Sequence, residues 1–302
     1  MNNLSEYKEE ELNFQIKTGQ LTVGVEAKES SDYIQPLRDT DSFSFHDREM
    51  DVSNFCNDLK FEVVSARTID FPKKHVTYRV EVRKDYPELD TQPNYIERRY
   101  TEFLDLYKSL CIEFPTIMSS ISFPKKALMG NFTQEMISSR SASFQSFLKL
   151  ITENEQIKNS NTLINFLQDK EQQEAYNYII DKKYDQAVPL LENCFRMINK
   201  IQTDRHPEVL RSLCLLVACC EANKDPQAEY FAEIALHRYE AVSDVDLLKY
   251  YVPLLELCVH LYWSSGRDKT FIEERLSRLK RCGMKVGGNC TLLDMVLADK
   301  VF

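Results

Sequence analysis

Two adjacent guanidinium groups stand directly before an aromatic residue in the run Ile96-Glu97-Arg98-Arg99-Tyr100-Thr101-Glu102-Phe103. Arginine offers a planar fork of donors that engages phosphate oxygens in pairs, and a neighbouring tyrosine can lie against the face of a sugar-like ring. The run therefore has the chemistry to hold a phosphate-bearing ring such as a lipid head group. The plainer alternative is a solvated strand end in which Arg98 and Arg99 pair with Glu97 and Glu102.

Cations in such a place need a strand to carry them and a helix to follow, and the flanking sequence supplies both. Phe61 and Val63 alternate against Glu62 in a first strand that ends at the Phe71-Pro72 break. Next, Val76, Tyr78, Val80 and Val82 share one side while Thr77, Arg79, Glu81 and Arg83 share the other, the period-two signature of a half-buried antiparallel strand, closed by Asp85-Tyr86-Pro87. A third strand over Tyr95 to Tyr100 brings the arginines to the rim of a small sheet. Thr101 is placed to cap a helix whose apolar stripe is Leu104, Tyr107, Leu110 and Cys111, with Phe103 and Leu106 beside it, ending by Phe114-Pro115. A helix N-terminus adds partial positive charge and free backbone donors, so an anion has reason to settle there.

Beyond that helix, Ser122-Phe123-Pro124-Lys125-Lys126 is a proline-stiffened basic pair, and Ala127-Leu128-Met129-Gly130-Asn131-Phe132 is an apolar loop. Thr133 and Gln134 open a further helix in which Arg140, Phe144, Phe147, Leu148 and Ile151 fall at near-helical spacing. Arg140 heads an otherwise apolar stripe. A charge there either reaches back to solvent along its own stem or faces a ligand, and the sequence alone favours the first. Leu163, Ile164, Phe166 and Leu167 mark one more amphipathic helix.

Composition excludes several classes. The 302 residues suggest two folded units plus a tail, with 43% hydrophobic and 28% charged residues as in an ordinary globular protein. Seven scattered glycines leave no phosphate-wrapping loop of the Walker or Rossmann kind. The longest apolar run, Leu213 to Cys220, has 8 residues and suits a buried helix face, so no bilayer span is expected. The opening Met1-Asn2-Asn3-Leu4-Ser5-Glu6 lacks the features of a signal peptide or a myristoylation site, and residence in the cytosol is the expectation. Nine cysteines without C-x-x-C pairing read as buried thiols, and five scattered histidines offer no zinc site, so neither metal nor cofactor is expected.

The net charge of −9 is concentrated at one end: residues 1 to 58 hold five Lys/Arg against 13 Asp/Glu, whereas residues 59 to 172 hold 16 against 15. Attraction to an anionic surface must come from placement of charge, and nucleic acid is not an expected partner. Residues 1–57 mix acids, serines and isolated aromatics without periodicity and read as a disordered acidic arm.

After Lys170 the texture is helix after helix. Tyr184, Val188, Leu191, Phe195 and Ile198 form one stripe, in which Pro189 suggests a later helix start. His206-Pro207 and Asp225-Pro226 open two more helices, and Pro253 interrupts a longer pattern from Leu247 to Tyr262. Another helix ends at Gly283, and Thr291 with Asp294 caps the last. Tyr176, Tyr178, Tyr239 and Tyr250 are candidates for a binding groove, with packing between helices the commoner use of such rings.

Three strands, Arg-Arg-Tyr-x-x-Phe, a proline-lysine loop and an arginine on the next helix together resemble the phox-homology (PX) domain of the sorting nexins over residues 58–172. The resemblance implies a site for phosphatidylinositol 3-phosphate in which Arg99 binds the 3-phosphate, Tyr100 supports the inositol ring, Lys126 or its neighbour Lys125 reaches the 1-phosphate and Arg140 binds ring hydroxyls, with Thr101 close to the 3-phosphate. Leu128, Met129 and Phe132 would dip into the acyl boundary. A PX domain followed by a tetratricopeptide-like helical domain over residues 173–302 is similar to the sorting nexin 20 and 21 group with its PX-associated B domain. The implied fold is α+β, a three-stranded antiparallel sheet packed on helices, then an all-α domain. The implied role is a peripheral adaptor, not an enzyme, on the cytosolic face of early endosomes, binding cargo tails or trafficking proteins through its helical half. Lipase and kinase motifs are absent. The competing expectation is a helical scaffold whose PX fold binds no lipid.

Overall fold

The computed structural model of the chain describes residues 59–84, 93–127, 129–240, 245–283 and 290–299. The acidic arm expected over residues 1–57 and the loop residue Leu128 lie outside these described residues.

Strands β1 (Leu59–Ile69), β2 (His75–Lys84) and β3 (Asn94–Arg99) form an antiparallel sheet in the order β1-β2-β3. Val80 lies opposite Val63 on one side and Ile96 on the other, and the register of β1 shifts between Val63 and Ser65. The alternation of β2 holds: Val76, Tyr78, Val80 and Val82 are all buried. Its other face is less open than a half-buried strand would have it, because Thr77 and Glu81 are buried too. Side chains of that face cover one another: Arg79 lies 3.9 Å over the ring of Tyr95, Arg67 donates to Glu97 at 2.6 Å, and Arg83 pairs with Glu81.

Helix α1 (Tyr100–Glu113) begins at the residue after β3. Arg99, not Thr101, is its N-cap residue, and the carboxylate of Glu102 accepts from the Arg99 backbone N–H at 2.7 Å, satisfying an amide the helix cannot. The buried face is Tyr100, Phe103, Leu106 and Leu110, with Leu104, Tyr107 and Cys111 at its margin. Starting two residues earlier than a Thr101 cap would allow extends the helix to Tyr100, which falls in line with Phe103, Leu106 and Leu110 and so becomes part of the core.

Pro115 opens the short helix α2 (Pro115–Met118), and Thr133 caps α3 (Gln134–Thr152), accepting from the Met136 amide. On α3, Phe144 stacks on Phe103 with ring centroids 3.9 Å apart and meets Tyr78 edge-on at 5.0 Å, joining sheet, α1 and α3 in one aromatic core. After α4 (Glu155–Lys158), helix α5 (Asn161–Ile180) starts on the N-cap Ser160 and runs without a break past residue 172, where a domain boundary was expected.

The helices that follow are α6 (Tyr184–Ile201), α7 (Pro207–Asn223), α8 (Ala228–Tyr239), α9 (Val245–Ser264), α10 (Thr270–Arg281) and α11 (Leu292–Ala298), and each from α6 to α10 packs on its predecessor. Helix α6 does not start late. Pro189 sits on an exposed position, and the residue whose carbonyl it leaves unpaired, Asp185, is exposed as well, so water can take the lost hydrogen bond. Thr291 and Asp294 form the expected capping box at α11. Tyr239 and Tyr250 are buried, Tyr239 stacking on Tyr251 at 5.2 Å, which makes them packing residues. Cys194, Cys214, Cys219, Cys220 and Cys258 are buried as expected, and burial pushes the thiols of Cys214, Cys219 and Cys220 up to about 12.

His206 caps α7 by accepting the Glu208 amide at Nδ1, 3.2 Å away, and Pro207 takes the first helical position. Burial lowers its pKa from the ordinary 6.5, with Glu208 opposing. A protonated Nδ1 cannot accept, so the cap belongs to the neutral ring. Its contribution is complete above 6.5 and is lost as the pH falls below that value through the lowered folded pKa. We expect a His206→Asn variant, whose cap does not titrate, to lose less stability than the native chain between about pH 7.5 and about pH 5.5, by up to about 1 kcal/mol in urea unfolding.

Candidate functional site

Three elements meet around Tyr100. Its hydroxyl donates to the Pro124 carbonyl at 2.8 Å, which draws the Pro124-Lys125-Lys126 loop against the start of α1. Phe123 secures the same loop from below, 4.9 Å from Tyr107 and 5.9 Å from Tyr100. From α3, the Arg140 guanidinium lies over the Tyr100 ring, 4.3 Å from its centroid. Burial raises the pKa of the Tyr100 phenol, partly offset by the charge of Arg140.

Arg140 does not reach back to solvent. It is only 4% exposed, held between the Tyr100 ring and Asn131, whose Oδ1 accepts from Nη2 at 2.7 Å. Its Nε has no hydrogen-bond partner, and no carboxylate pairs with it among the described residues. The buried Tyr78 hydroxyl also faces this guanidinium without a formed hydrogen bond; burial raises the phenol's pKa, and the charge of Arg140 opposes that rise. A buried cation among neutral groups, with Nε unbonded, is incompletely paired, and an anion or a set of hydroxyls is what would complete it. Asn131 itself is fixed by donating to the Ala127 carbonyl at 3.0 Å, which folds the apolar loop over this arginine.

The arginine pair divides. Arg98 is buried and gives both terminal nitrogens to Glu171, at 2.5 and 2.6 Å, so the solvated strand end is not what forms. Arg99 points the other way, since successive strand residues face opposite sides, and its side chain is 57% exposed with Nε 4.0 Å from Glu102. Lys125 and Lys126 are exposed, and neither is tied to another side chain among the described residues. Thr101 is half-buried, its hydroxyl enclosed and without a partner. Tyr100 thus links the elements bearing Arg99, Lys126 and Arg140, while Arg98 belongs to the packing beneath.

Met129 is 87% exposed and Phe132 45%. Lys74 lies 5.1 Å over the Phe132 ring, which puts the β1–β2 turn next to the apolar loop. That turn carries Phe71 at 85% exposure, beside Lys73 and Lys74. In the sequence Lys73, Lys74 and Lys125 stand out as cations for an anionic leaflet, whereas Phe71 marks only a strand break, although Phe71-Pro72-Lys73-Lys74 has the same apolar-basic texture as the Lys125–Phe132 stretch. Asn131 and Glu171 had no comparable signal, because their roles depend on partners distant in sequence.

The fold and the arrangement around Tyr100 define a phox-homology module, and the family model described as "PX domain" matches residues 86–170. Human sorting nexin-21 is 34% identical over 244 residues, covering 80% of this chain and 64% of that protein. Rat (Rattus norvegicus) sorting nexin-20 is 30% identical over 228 residues, covering 74% of this chain and 71% of the relative. The chain belongs to the sorting nexin family. It spans just under two thirds of the sorting nexin-21 proteins it matches, 64% of the human and 66% of the mouse protein. Among solved structures, a designed CISK-PX domain aligns with a TM-score of 0.32 at 21% identity, over 36% of this chain and 98% of that one. No helix among the described residues is long and apolar enough to cross a membrane.

Proposed function

We propose that the surface around Tyr100 binds the head group of phosphatidylinositol 3-phosphate and thereby recruits the chain, as a non-enzymatic adaptor, to the cytosolic face of early endosomes. The observation that carries this reading is Arg140, a buried guanidinium with an unpartnered Nε and no carboxylate beside it among the described residues, stacked on the tyrosine that joins the elements bearing Arg99 and Lys126. Arg99 takes the 3-phosphate, Lys126 or Lys125 the 1-phosphate, and Arg140 the ring hydroxyls now represented by the Asn131 amide oxygen. Tyr100, buried and covered by Arg140, supports the inositol ring indirectly, by holding Arg140 and the Pro124 loop in place, and the Thr101 hydroxyl is enclosed at the same helix start. Charge-assisted hydrogen bonds of this kind contribute about 1.5–3 kcal/mol each before ordering costs.

Head-group contact works together with insertion. Met129, Phe132 and Phe71 stand exposed on two adjacent loops flanked by Lys73, Lys74, Lys125 and Lys126, the pattern of a surface that dips apolar side chains beneath anionic head groups. Leu128, assigned to the same insertion from the sequence, lies outside the described residues. We assign residues 58–172 to the lipid-binding part and residues 173–302 to a repeat-like helical part that binds proteins, among them cargo tails or trafficking factors.

The test is co-sedimentation of the full chain with phosphatidylcholine vesicles carrying no inositide, phosphatidylinositol, or its singly and doubly phosphorylated forms. Sedimentation should depend on the 3-phosphate; equal sedimentation with every lipid, or none, favours a protein scaffold whose PX fold has no lipid role. Replacing Phe71 and Met129 together by serine should weaken vesicle binding by about 2 kcal/mol, roughly thirtyfold, while leaving affinity for the soluble head group unchanged.

A further inference from the structure

We propose that Arg98 and Glu171 are a positioning pair for Arg99, through which helix α5 takes part in head-group recognition without touching the lipid; this rests on the assignment of Arg99 to the phosphate. Among the described residues, strand β3 has a sheet neighbour on one side only, β2. It is held instead by helices that continue into the second half of the chain. At its start, Asn193 of α6 accepts from the Tyr95 amide at 3.2 Å and donates to the Tyr95 carbonyl at 2.9 Å, while Lys200 donates to Asn94. Near its end, Lys170 of α5 donates to the Glu97 carbonyl at 3.1 Å.

Arg98 closes this clasp. Its Nη1 and Nη2 form the fork on Glu171, its Nε donates to the Phe166 carbonyl at 2.8 Å, and Nη1 also reaches the Glu97 carbonyl at 3.1 Å. The Arg98 side chain is 3% exposed and that of Glu171 13%, so the pair is shielded from competing water. A paired and nearly saturated guanidinium in such a place fixes the backbone that bears it. Arg99 is the next residue, about 3.8 Å further along the chain, and it is the residue at which strand turns into helix. Its own side chain is exposed and only loosely restrained by Glu102, so the placement of its guanidinium is inherited from the backbone. Bidentate recognition of a phosphate tolerates only about half an ångström of displacement, which a released strand edge would exceed.

The experiment uses the full chain, vesicles with or without phosphatidylinositol 3-phosphate, and the variants Glu171→Gln, Arg99→Gln, the double variant, and Leu213→Ala as a destabilised control whose site is on buried α7. All are measured well below their unfolding transitions. Glu171→Gln keeps the size of the side chain and one acceptor, and it should lower inositide-dependent binding about tenfold without changing binding to vesicles made anionic by phosphatidylserine alone. Leu213→Ala should change neither. Because the pair acts through Arg99, the double variant should bind no worse than Arg99→Gln. Native-like binding by Glu171→Gln beside a defective Arg99→Gln overturns the positioning role and leaves the site assignment standing. Additive losses in the double variant overturn it as well. If Arg99→Gln itself binds like the native chain, the site assignment fails, and the positioning role with it.

Discussion

Arg99→Gln is expected to lower the affinity for vesicles containing phosphatidylinositol 3-phosphate by about 3 kcal/mol, some two orders of magnitude, with the fold intact. The substitution removes a two-pronged, charge-assisted contact and leaves a neutral amide that can replace at most one prong. Little in the folded chain depends on the lost guanidinium. The side chain is 57% exposed, its nearest carboxylate is 4.0 Å away, and the bond that caps α1 comes from the Arg99 backbone amide, which glutamine retains. Arg99 is the N-cap residue but its side chain makes no capping hydrogen bond, so its replacement acts as an exposed substitution worth about 0.5 kcal/mol or less, and the urea midpoint should barely move. Vesicle titration beside circular dichroism checks both halves. Unchanged affinity would place the phosphate elsewhere.

Phe144→Ala should be the most damaging substitution to the fold, costing about 3–5 kcal/mol by the combined loss of transfer energy and creation of a cavity. Phe144 is fully buried, stacked on Phe103, edge-on to Tyr78, and within 6.1 Å of Tyr100 and 5.9 Å of Phe123. Strand β2, helix α1 and the lysine loop all lean on it, so no single neighbour can fill the space without abandoning another. Urea unfolding measures the loss. A cost below about 1 kcal/mol would mean that these rings repack freely.

At β2, α3 and α11 the local pattern in the sequence and the structure agree. Two-residue alternation over Val76–Val82 marked β2, Thr133 announced α3 by its hydroxyl, and Thr291 with Asp294 announced α11, because each signal depends on residues within one turn or one pleat of each other. The Arg-Arg-Tyr motif, the lysine loop and Arg140 were all legible as candidates. The burial of Arg140 was not, since it depends on Tyr100, 40 positions earlier, and on a loop asparagine with no distinguishing neighbourhood. The division of labour between Arg98 and Arg99 was half legible: strand geometry requires neighbours to face opposite ways, but only the arrival of Glu171 from α5 decides which of the two is interior. Thr101 was misplaced as the cap by two residues, since the cap is Arg99 and Tyr100 already belongs to the helix and its core-facing stripe.

Helix α5 spans 20 residues, about 30 Å, and carries Glu171 near its middle. A stiff rod shared by both halves transmits force. If the chain binds membrane through Arg99 and a protein through its later helices, as proposed, tension on that protein would travel along α5 to the strand that presents Arg99, so pulling and gripping would act on the same lever, and the lifetime of the membrane bond would respond to load.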